Sequence, residues 1–265
     1  SVFDYFPQQF YGICTDNDMG IMDIKQKVDD TEAKWEYEKT KEYLEILKRK
    51  VEDTLVNQQY ILRTEAIVDY YIGIIDAQEM LEKLKKALSL TVSDYEKFVL
   101  RRDVDIKLYP FTEQEVLIAL NISDAYGKLK EYEQDECIKK MLLKCLETGY
   151  VDEKSIEDLV LIIKRNLGRT MLLQEKYEEA LGYMNQLLLE AKKIKNGVVI
   201  SVILSDIAWA MKKINQKSEE WVYEDEKMKQ ILRQAYYIAA ARNDVRISEI
   251  MKKALLKDYD EINVW

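Results

Sequence analysis

Apolar residues recur along this chain at three- and four-residue intervals almost without interruption after Asp18, the spacing of helices that bury one face. A first helix is expected from about Met19 to Val28, with a break at Asp29-Asp30-Thr31. A long amphipathic run follows, its apolar stripe marked by Trp35, Tyr43, Leu44 and Leu47. Tyr60, Ile61, Ala66, Ile67, Tyr70 and Tyr71 belong to the next helix, and Ala77 to Leu88 to its antiparallel partner. Thr112 with Glu115 forms a capping box, hydroxyl and carboxylate each taking a backbone N–H, so a helix starts there and runs to Tyr126. Its partner opens at Tyr132 and ends near Thr148-Gly149. Ser155 with Asp158 marks the start of a helix reaching Leu173, and a tight turn at Gln174-Glu175-Lys176 leads into Tyr177 to Ile194. Val198 to Ile214, a loop around Lys217 to Trp221, Asp225 to Ala241 and Val245 to Tyr259 complete the series, and no convincing strand appears.

From Asn166 to Ala191 the pattern sharpens. Leu167, Gly168, Met171, Tyr177, Ala180, Leu181, Met184 and Leu187 fall at the spacing of a tetratricopeptide-like hairpin, with Gly168 and Ala180 as the small residues that let two helices approach. Ile122, Ser123, Tyr126 and Tyr132 repeat Leu167, Gly168, Met171 and Tyr177 at a distance of 45 residues, and Ile207, Ala208 and Met211 form a third copy. The copies are degenerate, since Asp135 stands where Ala180 is expected and the spacing exceeds the usual roughly 34 residues. The predicted fold is therefore all-α, a tetratricopeptide-like solenoid of antiparallel helical hairpins wound as a right-handed superhelix.

Composition agrees with long helices: of 265 residues only 8 are Gly and 2 Pro, and no Gly-, Ser- or Pro-rich linker divides the chain. One continuous helical domain over residues 19–265 is expected, preceded by a tail of residues 1–18. A net charge of −9 argues against this chain gripping a phosphate backbone, and the Lys83–Lys86 and Lys192-Lys193 patches read as solvated helix faces. Cys14, Cys137 and Cys145 are too few for a disulfide framework and read as free thiols in a reducing cytosol. No segment is apolar for long enough to span a bilayer, Val198 to Leu204 being a core stretch, and no signal peptide is visible.

With no His at all, Ser-His-Asp and Cys-His sites, histidine-bound zinc and a phosphohistidine relay are excluded. Asp16 to Gly20 is not a calcium loop, because the turn glycine falls one place early and Lys27 occupies the closing carboxylate position. The Asn121-Ile122-Ser123 sequon lies within a helix. No cofactor is expected, and catalysis by a carboxylate pair stays open only because 49 acidic residues make chance pairs inevitable.

The positive signal concerns the groove. The first helix of each stacked hairpin lines the concave side, and two places before Gly168, Ser123 and Ala208 stand Asn166, Asn121 and Asp206. An amide offers both donor and acceptor to the backbone of an extended peptide. Arg165 and Arg169 flank Asn166 and form a cationic element suited to a carboxylate such as a peptide C-terminus. Trp209 is either a groove anchor or core, and the two asparagines either hold a ligand or only bond between neighbouring helices.

The chain resembles the tetratricopeptide-like sensor domain of cytosolic helix-turn-helix (XRE-type) regulators of low-GC Gram-positive bacteria, the Rgg-like and PlcR-like peptide-responsive class. The resemblance rests on Leu62-Arg63-Thr64-Glu65-Ala66 with Ala87-Leu88, on Phe111-Thr112-Glu113-Gln114-Glu115 followed by Leu117 to Ile122, and on Lys176-Tyr177-Glu178-Glu179-Ala180. Val2-Phe3-Asp4-Tyr5-Phe6 looks like the end of such a regulator's DNA-binding domain, and the first residue is Ser rather than Met, so that domain is expected to precede Ser1. The resemblance implies a cytoplasmic, homodimeric quorum-sensing regulator that binds DNA through the other domain and a short peptide through this one. By motif match, Asn121 and Asn166 would hold the peptide backbone. Asp206, where a third amide might stand, departs from the pattern. The alternative is a scaffold that holds a partner protein's tail and has no DNA-binding role. Val245 to Trp265 is expected to cap the last hairpin or to pack on a second subunit.

Overall fold

A computed structural model describes residues 16–93, 95, 111–148 and 153–259. The expected tail before Asp16, Cys14, the Pro110 loop and Gly149 lie outside the described residues. The chain forms two compact units, Ser1–Lys97 and Phe98–Trp265, although no linker composition marks the boundary. The first holds α1 (Asp16–Ala33), α2 (Tyr37–Lys48), α3 (Leu55–Tyr71) and α4 (Ala77–Ser89). The second holds α5 (Glu113–Lys128), α6 (Tyr132–Thr148), α7 (Glu153–Leu173), α8 (Tyr177–Ile194), α9 (Gly197–Lys217), α10 (Asp225–Ala241) and α11 (Val245–Tyr259). Within each unit every helix packs on the next, the arrangement of tetratricopeptide-like hairpins, and no strand occurs among the described residues.

One turn joins most hairpins. After α1, α3, α5, α7, α8 and α10 a residue takes a positive φ: Trp35, Gly73, Lys130, Glu175, Lys195 and Asn243. Each closes the same pair of bonds. After α7 the Lys176 N–H donates to Met171 O at 3.0 Å and the Glu175 N–H to Leu172 O at 3.1 Å, satisfying carbonyls that the helix end leaves open. All but one of these positions carry a side chain where glycine is the usual occupant, so the turns are not visible as glycines in the sequence.

The first turn departs from expectation. The chain does not break at Asp29-Asp30-Thr31; α1 runs through to Ala33 and begins before Met19. Thr31, read as a breaker, satisfies its hydroxyl inside the helix by donating to Lys27 O at 2.7 Å, and the Thr40 hydroxyl donates to it at 3.0 Å across the hairpin. The turn falls instead on Trp35, whose φ of 62° and 43% exposure take it out of the stripe assigned to it. The Ser155 start likewise falls inside α7, which opens at Glu153, and Asp158 accepts from Asn196 Nδ2 at 2.7 Å. The Thr112–Glu115 capping box and the openings at Tyr132 and Tyr177 stand as read.

In the second unit Leu161, Met184, Leu187, Val199, Ile203, Ile207 and Met228 form one core shared by α7 to α10. Leu167, Met171, Tyr177, Ala180 and Ile214 form another beside it. A Cβ on Gly168 would lie 2.4 Å from Met184 Cε and 3.1 Å from Tyr183 Cδ1, so any side chain there requires the fully buried Met184 side chain to move. Gly168→Val adds two further methyls against the fully buried Met184, and overpacking outweighs the gain in helix propensity. It is expected to destabilise the protein by about 1–3 kcal/mol in urea unfolding, with an unchanged m-value. The terminal helix α11 buries Met251 and Leu255 against Leu204, Ala208, Leu232 and Ala235, and so covers the last hairpin.

Candidate functional site

In the second unit α7 touches α9 and α9 touches α11, so the first helices of successive hairpins lie side by side along one face. On that face most residues singled out from the sequence come together. Arg165 Nε donates to Asp206 Oδ2 at 2.9 Å, and Arg169 Nη1 donates to Asp206 Oδ1 at 2.7 Å. Arg165 Nη1 also donates to Asn166 Oδ1 at 3.1 Å. The Arg169 guanidinium lies 4.4 Å from the centre of the Trp209 ring, a cation–π contact.

This geometry changes the part played by two groups. Asp206 is 2% exposed with both oxygens occupied, so it is no groove-lining acceptor; it fixes the two arginines from beneath. Arg165 and Arg169 are correspondingly not an unmatched cationic element, because a buried carboxylate already neutralises part of their charge. Trp209 is half-buried, with its ring packed on the Leu167–Ala210 core.

Asn166 is half-buried, and its carbonyl oxygen accepts from Arg165 while no described residue takes its amide N–H groups. Asn121, on α5, is half-buried too. One turn further along α5, Asp124 lies 3.6 Å from Lys139 Nζ of α6, which also reaches Thr170 of α7.

Beneath Asn121 lies a buried polar cluster that the sequence does not announce. Asp135, in the place of Ala180, is 1% exposed and accepts from the Ser123 hydroxyl, from Lys139 Nζ and, at 2.6 Å, from Thr170 Oγ1. Lys139 also donates to Thr170 Oγ1 at 3.1 Å, so α5, α6 and α7 are tied by charge where the later hairpin uses alanine. The departure at Asp135 from the repeat was the available signal, once paired with Ser123 in the Gly168 position. Asn215 is a second missed residue: its side chain accepts from the Tyr223 N–H at 2.9 Å and donates to Tyr223 O at 2.7 Å, holding the loop before α10.

In the first unit, Arg63 pairs both nitrogens with Glu32 at 2.9 and 2.5 Å, and the Tyr60 hydroxyl donates to Asp29 at 2.7 Å. Tyr71 stacks on Tyr37 with ring centres 4.5 Å apart and meets Tyr70 edge-on. The Lys83–Lys86 patch is balanced locally, Lys83 pairing with Asp69 at 2.9 Å and Lys85 with Glu82 at 3.4 Å. Cys137 and Cys145 are free thiols, and burial pushes Cys145 up to about 11. Among the described residues no group of Cys, Asp or Glu gathers to hold a metal ion, and no helix is long and apolar enough to cross a membrane.

No protein-family model matches the sequence, and no curated protein matches it. Solved structures do resemble the fold. Bacillus thuringiensis PlcR in complex with the peptide PapR7 and DNA is 16% identical with a TM-score of 0.70, covering 89% of this chain and 75% of that one. Its apo form is 17% identical with a TM-score of 0.67, covering 95% and 83%. The tetratricopeptide-like repeats of a putative kinesin light chain from Podosopora anserina follow at 11% identity and a TM-score of 0.50, covering 84% and 94%. At these identities the likeness is one of fold, and the fold is the all-α, tetratricopeptide-like one expected.

Proposed function

We propose that this chain is the peptide-sensing module of a transcription regulator, and that it holds a short peptide along the face formed by α5, α7 and α9. The observation that carries the reading is Asn166. Arg165 orients its amide from one side, and its N–H donors are left for a peptide carbonyl. Asn121 offers a second amide on the neighbouring first helix, and Trp209 with Arg169 supplies a flat, cationic surface beside them. The likeness to PlcR, whose structure contains a peptide and DNA, supports the same use of the fold. In this reading DNA is contacted by another domain of a cytoplasmic homodimer. The peptide acts by binding one arrangement of the hairpins more tightly than another, since a ligand with equal affinity for both shifts nothing.

The test uses immobilised protein and a random heptapeptide pool, with retained peptides identified by mass spectrometry and measured individually by calorimetry. Asn166→Ala is expected to weaken the retained peptides about tenfold, the worth of one to two hydrogen bonds, with helical content unchanged. Equal retention by both proteins removes Asn166 from the site; no retention by the wild type removes the peptide reading.

A further inference from the structure

At the N-terminal ends of α7 and α9 lies a pocket of about 500 Å³ that the constellation around Asn166 does not use. Its apolar wall is Ile162 of α7, Ile194 at the end of α8 and Val198 of α9, all exposed side chains. Lys195, in the turn between α8 and α9, and Arg242, which follows α10, line it as well. Their side chains meet no carboxylate among the described residues, whereas Arg165, Arg169 and Arg233 of the same unit each reach one. Asp158 of α7 is the one described carboxylate on the lining, and its Oδ1 accepts from Asn196 Nδ2 at 2.7 Å rather than from either cation. The pocket thus carries two cations against one anion.

The place of Arg242 adds to this imbalance. A Cβ on Gly197, the first residue of α9, would lie 2.8 Å from Arg242 Cδ and 3.2 Å from its Nη1, so the guanidinium rests against the positive end of a 21-residue helix. A cation there is repelled. The Asn196 side chain takes the Val199 N–H at 3.0 Å, while the N–H groups of Gly197 and Val198 have no partner among the described residues. Side-chain charge, helix end and open donors together favour an anion, and the apolar wall beside them favours one that carries a hydrocarbon group.

The pocket adjoins the proposed peptide face. Ile162 precedes Asn166 by four residues of α7, which sets the two on one side of that helix about 6 Å apart along its axis. Asp158 meets Asn196 at the near end of the α7–α9 seam and Arg165 meets Asp206 further along it, so the two helices run parallel and lead together from the Asn166 constellation to the pocket. An extended peptide covers 6 Å in about two residues. We infer that this pocket receives the C-terminal residue of the bound peptide, its apolar side chain on Ile162, Ile194 and Val198 and its free carboxylate on Arg242 and Lys195. The ligand class is a peptide that ends in a free apolar residue about two places from the one held by Asn166. The inference rests on the peptide-sensing reading and assigns to Arg242 and Lys195 the carboxylate recognition that Arg165 and Arg169, bonded to Asp206, do not supply.

Three heptapeptide pools test it: one ending in Leu, Ile, Val or Phe with a free carboxylate, one identical but C-terminally amidated, and one ending in Ser, Asn or Gln with a free carboxylate. Each is passed over wild type, Asn166→Ala and the double variant Lys195→Asn, Arg242→Gln. Both altered side chains are exposed and asparagine tolerates the left-handed backbone at 195, so the double variant is expected to keep the circular dichroism and melting temperature of the wild type. Arg242→Gln alone gives a milder second variant. The first pool is expected to be retained preferentially, and its peptides to bind the double variant about tenfold more weakly, with an affinity for wild type that falls as salt rises. Amidation is expected to cost a similar factor on wild type and little on the double variant, because the same contact is lost either way. Sensitivity to the substitutions without sensitivity to amidation overturns the assignment, since the anion is then an Asp or Glu side chain, and equal retention of the first and third pools overturns the apolar subsite. Asn166-dependent retention that ignores the C-terminal group and both substitutions overturns the whole inference and leaves the peptide reading standing. Absence of any Asn166-dependent retention overturns both.

Discussion

Lys139→Met is expected to lower the melting temperature of the protein by about 10 °C, the consequence of stranding a buried carboxylate at a cost of about 3–5 kcal/mol. Asp135 is 1% exposed, and Lys139, itself 3% exposed, is the cation bonded to it. Methionine keeps most of the lysine's volume and none of its charge. The carboxylate then keeps only the hydroxyls of Ser123 and Thr170. It has little room to turn away, because a Cβ on the neighbouring Gly127 would already stand 3.3 Å from Asp135 Oδ2. Removing both charges is a different experiment. Asp135→Ala with Lys139→Met converts the site to the apolar packing that Ala180 gives the following hairpin, and it is expected to recover most of the loss. Scanning calorimetry on the three variants with Asp135→Ala completes the cycle. A single Lys139→Met variant melting within about 2 °C of wild type, less than 1 kcal/mol for a unit of this size, would mean that the charge pair is not what holds these three helices together.

The second large effect belongs to Asp206. Arg165→Met together with Arg169→Met leaves a carboxylate of 2% exposure without the guanidiniums that meet it from α7, and is expected to cost about 3–5 kcal/mol in urea unfolding. Asp206→Ala is expected to cost less, about 1–3 kcal/mol, because Arg165 and Arg169 are 24% and 42% exposed and can turn into water. Affinity separates this arrangement from a purely structural one. Asp206 is buried beneath the proposed site, yet it bonds Arg165, and Arg165 in turn bonds the Asn166 side chain. Asp206→Ala, assayed where it is fully folded, is therefore expected to weaken the peptides selected on wild type by several-fold. Unchanged affinity would confine Asp206 to stability and detach it from the site.

Both sets of residues show how differently the sequence serves fold and site. Helix periodicity, the Thr112–Glu115 box and the Gly168–Ala180 pair act within one helix or one hairpin, over spacings a sequence displays directly, and the structure follows them closely. The exceptions were local competitions with two satisfactory outcomes. Thr31 caps a helix as readily as it bonds back to Lys27, and only the Thr40 hydroxyl packed against it selects the second. The division into two units carries no compositional mark at all.

Residue periodicity and local capping by themselves determined the all-α hairpin architecture, most helix boundaries and the small residue at Gly168. The pairing of charge between helices was decided by tertiary structure alone. Arg165 and Arg169 meet Asp206 across 41 and 37 residues of chain, Lys139 meets Thr170 across 31, and Lys195 and Arg242 share a pocket. A side chain's charge is written in the sequence, but which opposite charge quenches it, and so whether it is left for a ligand, depends on which helices stack together and at what height.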